Sequence, residues 1–119
     1  MMMRNPILAA ATAALLLSSP AGAQQATVDQ NLDCAIWASF RLGVSQDEAE
    51  RTGLMIATAW FIGLYEGQSG RKIGEVMGAR AMALSPQEVQ ALESSCLPRF
   101  QDFGNRMTKL GSDLKASGG

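Results

Sequence analysis

The chain has no histidine at all. That absence excludes Ser-His-Asp and Cys-His catalysis, imidazole metal sites, and a histidine pH switch. Any response to pH must then come from carboxylates and must operate well below neutral. An excess of charge of either sign is also missing. Ten Lys and Arg stand against eleven Asp and Glu, and Arg71-Lys72 is the only adjacent basic pair. Nucleic-acid binding needs clustered cations, so the composition argues against it. Cysteine is nearly absent too. The two residues, Cys34 and Cys96, are too far apart for a C-x-x-C redox or zinc motif. The absences leave no cofactor or metal to expect, and Met55, Met77, Met82 and Met107 read as packing residues.

What is present begins with an address. Arg4 supplies a positive start, Ile7 to Leu17 an apolar run interrupted by Thr12, and Ala21-Gly22-Ala23 a small-x-small cleavage site. Residues 1–23 are therefore expected to be a cleaved signal peptide, with the periplasm as destination. Residues 24–115 are expected to form one helical domain and 116–119 a flexible tail. In an oxidising compartment an intramolecular Cys34–Cys96 disulfide is the expected pairing, with an intermolecular bridge or a free thiol as the alternatives. Closing such a loop is worth roughly 4 kcal/mol on the chain-entropy account.

Helical periodicity runs through the mature chain. Thr27-Val28-Asp29-Gln30 has the form of a capping box, opening a helix that turns Val28, Leu32, Ala35, Ile36 and Phe40 inward until Gly43 stops it. Ser45-Gln46-Asp47-Glu48 reads as a second box, stapled by Val44 and Ala49, and predicts a helix to about Gln68. Its middle, Leu54 to Tyr65, is apolar nearly all round but too short to span a bilayer, which predicts a central helix surrounded by the others. After the loop Gln68-Ser69-Gly70, a weaker helix carries Ile73, Met77, Ala81 and Leu84. Ser85-Pro86-Gln87-Glu88 opens a fourth helix, predicted to carry Val89, Leu92 and Cys96 on one face before Pro98 ends or kinks it. Phe100, Phe103, Met107, Leu110 and Leu114 then form a narrow, coiled-coil-like seam, placed either for an internal contact or for a homodimer. The expected fold is all-α: a compact bundle of four to five helices around a central apolar helix, closed by one disulfide.

Two small-residue series, Ala59/Gly63/Gly67 and Gly70/Gly74/Gly78, predict close backbone packing between helices. Trp60, Phe61 and Tyr65 are the candidate ligand-binding residues, since they could line a cavity of about 300 Å³ or more; their other role is core. Carboxylates are the remaining catalytic groups, for instance Glu66 and Glu75, but nothing in their spacing makes them face each other. A non-enzymatic protein is expected.

Cys34 followed by Trp37, the segment Trp60-Phe61-Ile62-Gly63, Ser85-Pro86-Gln87-Glu88-Val89 leading to Cys96, and Phe100, Phe103 and Lys109 in a closing helix carry a resemblance. Over Cys34 to Lys115 the chain resembles the HdeA-type periplasmic acid-stress chaperones, and more generally small exported proteins of alphaproteobacteria. It departs from them in a wider cysteine spacing, a more apolar central helix and a closing helix less rich in lysine. The resemblance implies a small exported helical protein that exposes apolar surface in acid and binds client proteins. Gly63-Leu64-Tyr65-Glu66-Gly67 has a fainter likeness to exported immunity proteins. A dedicated immunity or inhibitor partner, or a small-molecule carrier, are the competing functions.

Overall fold

A computed structural model describes residues 25 to 118. The expected signal peptide, residues 1–23, lies outside the described residues. Those described are all helix and connection, without a strand: α1 (Val28–Val44), α2 (Glu48–Ser69), a 3₁₀ turn (Ile73–Glu75), α3 (Met77–Ala83), α4 (Pro86–Ala91) and α5 (Glu93–Ser117).

The first and last capping boxes form as the sequence predicts. The Thr27 hydroxyl accepts from the Gln30 amide at 3.1 Å, and the Gln30 side chain accepts from the Thr27 amide at 2.8 Å. Ser85 and Glu88 make the same reciprocal pair, with Pro86 at the first helical position. The middle box does not form. Ser45 instead closes α1, which runs on through Gly43, and Asp47 caps α2 by accepting from the Glu50 amide at 3.2 Å. A carboxylate at that position satisfies the amide and also meets the positive end of the helix dipole, which a hydroxyl does not. Val44 and Ala49 are both exposed, so no staple joins them.

A bundle around an apolar helix is what forms, but the helix at its centre is α1. From Asn31 to Ala38 only Asp33 escapes burial, because α2 covers one side of α1 while α3, α4 and the start of α5 cover the others. The expected centre, Leu54 to Tyr65, buries a single stripe of Leu54, Ala57, Phe61 and Tyr65. Met55 is 60% and Ile56 52% exposed on its outer side. The short helices α3 and α4 pack on α1, and the long α5 leaves the bundle after its first turns, so nothing is left to cover the outer side of α2. Phe40, expected inside, lies at the rim of the bundle.

The glycine series do not mediate close packing. A methyl group placed at Gly63, Gly67, Gly74 or Gly78 would meet nothing within 4 Å. These glycines face outward, away from the contact with α1. Gly70 has a different role: at φ 69° it ends α2 in the left-handed conformation, and its amide returns to the Glu66 carbonyl at 2.9 Å.

The fourth predicted helix is split. The chain breaks at Leu92, not at Pro98, and α5 takes up both Cys96 and the proline. Pro98 and Ser94 are exposed, so the Ser94 carbonyl that loses its helical donor faces solvent and not the core. Past Gly104, α5 is exposed on every side and continues through Ser117, into the segment expected to be a tail. The Cys34–Cys96 disulfide ties α1 to the root of this helix, with Cα atoms 5.4 Å apart.

Candidate functional site

Around the disulfide, α1, α2 and α5 bring together the groups with the most unusual environment in the molecule. Trp60 of α2 stacks on Phe103 of α5, ring centroids 4.5 Å apart at 16°, and tilts against Phe61 at 4.9 Å. The Arg99 guanidinium lies 5.8 Å from the centre of the Trp60 ring and 5.2 Å from that of Phe61. Its Nη1 points at Cys34 Sγ, 3.4 Å away, and its Nη2 donates to Asn31 Oδ1. Asn31 is 1% exposed. It passes the chain on by donating to Gln68 Oε1, and Gln68 donates to the Ala26 carbonyl at 3.0 Å. One polar thread thus joins α5, α1, the end of α2 and the segment before α1.

Burial lowers the Arg99 pKa below the usual guanidinium range. No carboxylate is paired with it among the described residues; aromatic faces and an amide oxygen hold the cation instead. This makes Arg99 and Asn31 mutually dependent. Arg99→Met is expected to cost on the order of 1–3 kcal/mol, because Asn31 Oδ1 would be left buried without its donor. The shift of the urea unfolding midpoint measures it.

The cleft over this cluster has a volume of about 760 Å³ and is lined by Thr27, Asp33, Trp60, Leu64, Arg99 and Asp102, among others. Of the three candidate ligand-binding residues, Trp60 alone borders it. Phe61 at 0% and Tyr65 at 3% exposure are core residues. Arg99 and Gln68 escaped the sequence reading because nothing local marks them. Asn31 carried a signal, since it sits one turn before Ala35 on the stripe that faces inward.

A second set of groups ties the helices together by charge. Arg41 of α1 bridges Glu50 of α2, at 3.1 Å, and Glu93 of α5. Arg80 of α3 grips Asp33 of α1 through two bonds of 2.8 and 3.0 Å. Hydrogen bonding to Asp33 and its charge raise the Arg80 pKa above its usual value. These are the ion pairs between helices among the described residues, and each of them runs through α1. The pairs Asp102–Arg106 and Lys109–Asp113 lie along α5 itself.

Among the described residues, no group of three or more Cys, Asp and Glu could hold a metal ion, and no helix is long and apolar enough to cross a membrane. Fold and site together define an all-α, disulfide-closed bundle with a long projecting helix. No protein-family model, curated protein or solved structure matches the chain.

Proposed function

We propose that this chain is a non-catalytic periplasmic protein that binds other proteins as a stress chaperone does, with acid as its trigger. One observation carries the reading. Each ion pair that ties α2, α3 or α5 to α1 depends on a carboxylate: Glu50, Asp33 or Glu93. Acid strong enough to protonate Asp and Glu cancels all three at once. The helix they hold covered, α1, is buried at every residue from Leu32 to Ala38 except Asp33, with the large Trp37 ring among them. The disulfide does not titrate, so α1 and α5 stay joined while that helix is uncovered. An opened bundle of this kind offers sticky surface without losing its own connectivity. Missing histidine fits the same picture, since the chain has no imidazole to respond near neutral pH.

The test compares pH 7 with about pH 2 to 3, where carboxylates are protonated. ANS fluorescence should rise in acid, and light scattering from an acid-unfolded client enzyme should fall in proportion to added protein. Acid that neither exposes ANS-binding surface nor suppresses scattering sinks the reading.

A further inference from the structure

We propose that the projecting half of α5 pairs antiparallel with the same helix of a second copy of this chain. The inference goes beyond the acid reading and does not depend on it.

Met107 is 51%, Leu110 54% and Leu114 70% exposed, so the apolar seam continues past Phe103, whose ring stacks on Trp60, without a partner among the described residues. The helix also carries two interior glycines, Gly104 and Gly111, each costing about 1 kcal/mol of helix propensity relative to Ala. Nothing inside the fold requires them, because a Cβ at either position meets nothing within 4 Å. An exposed helix with an unpaired seam and a glycine one step beside it, seven residues apart, has the form of half a helix pair.

The flanking residues identify the other half. With Phe103, Met107, Leu110 and Leu114 as the d, a, d and a positions of a heptad, Arg106 and Asp113 both fall at g, and Gly104 and Gly111 both fall at e. Set two copies antiparallel so that Met107 packs on Leu110 of the other copy and Phe103 on Leu114. In that register g faces g and e faces e. Arg106 then meets Asp113 of the second copy on one flank, twice by symmetry, and Gly104 meets Gly111 on the other, where their small size lets the backbones approach. Asp102 and Lys109 already pair with Arg106 and Asp113 within each helix, at 3.3 and 2.8 Å, and extend the alternation of charge across the contact. A parallel pair would set Arg106 against Gly111 and leave both charges unmatched. Antiparallel pairing also puts the two bundles at opposite ends of a contact about 18 Å long, at 1.5 Å of rise per residue. The surface is self-complementary, as a two-fold dimer requires.

Sedimentation equilibrium of the disulfide-bonded protein from about 10 μM to 1 mM tests this, the range fitting a short interface of four layers. A concentration-dependent dimer is expected. Arg106→Glu and Asp113→Lys should each weaken it on the order of tenfold, since each turns two attractions into repulsions. An equimolar mixture of these two variants should recover a dimer at wild-type strength, because every g–g contact between unlike chains is again of opposite charge. Circular dichroism on each variant confirms that α5 remains helical. A protein that stays monomeric at 1 mM overturns the proposal and leaves the seam for a different partner. A dimer that ignores the charge changes, or one that the mixture does not restore, overturns it equally and points to another surface such as the Met55/Ile56 side of α2.

Discussion

Removing the Cys34–Cys96 disulfide, by reduction or by the Cys34→Ala/Cys96→Ala pair, is expected to destabilise the folded domain by about 4 kcal/mol. The bond spans 62 residues of sequence, from the first helix to the last. An uncrosslinked chain must close that loop entropically before α5 can dock. Past Gly104 every residue of α5 is exposed, so the helix is held at its root alone, by Cys96, the Arg99–Asn31 bond, the Arg41–Glu93 pair, the Trp60–Phe103 stack and the packing of Leu97 and Phe100. A small domain typically has 5–15 kcal/mol in total, so about 4 kcal/mol is a large share of it. At ~4–8 °C per kcal/mol for a domain of this size, the melting temperature should fall by tens of degrees. Thermal melts followed by circular dichroism, with and without reductant, measure the effect. A drop of only a few degrees would mean that α5 is held by packing and not by the bridge.

Phe61→Ala is expected to cost about 3–5 kcal/mol, the usual loss for a fully buried aromatic ring. Phe61 is 0% exposed on the inner stripe of α2. Its ring supports Trp60 on one side and the Arg99 guanidinium on the other. Truncation therefore leaves a cavity between α1 and α2 and also removes an aromatic face from a desolvated cation that no carboxylate neutralises. Phe61→Leu should recover much of the packing but not the ring face, and so fall between the wild type and Phe61→Ala. Urea denaturation of the three proteins gives the ordering. Equal losses for Leu and Ala would assign the effect to the ring face alone and not to volume.

How legible a local feature is in the sequence depends on the range of the interaction that decides it. Thr27 and Ser85 were legible as caps because their partners, Gln30 and Glu88, are three residues away. The middle cap moved to Asp47 because Ser45 was already committed to closing α1, a competition between adjacent helices. Pro98 is expected to end or kink the helix; it does not end it, since the helix is interrupted at Leu92 and the proline sits inside α5, where the carbonyl left without a donor is that of the exposed Ser94. The glycines spaced by four looked like packing notches and face open space. Within the candidate site, Trp60 was found from its residue type, while Arg99 was not, because its partners Asn31 and Cys34 are more than sixty residues away.

Composition and periodicity alone determined that this is an all-helical chain, with Cys96 on an apolar helix face and no imidazole for chemistry or pH sensing near neutral. These follow from residue type and from spacings within two turns of helix, which the chain carries wherever it folds. Only the tertiary structure decided which apolar helix is central. Leu54 to Tyr65 is the more apolar segment, but α1 is short enough for its neighbours to enclose, and burial goes to the helix that can be covered on all sides. Tertiary structure also decided that the seam of α5 stays open. The pattern from Phe103 to Leu114 fits an internal or an external partner equally well, and the bundle ends before it reaches Met107. Whether an amphipathic face is core or surface depends on how much chain is left to cover it.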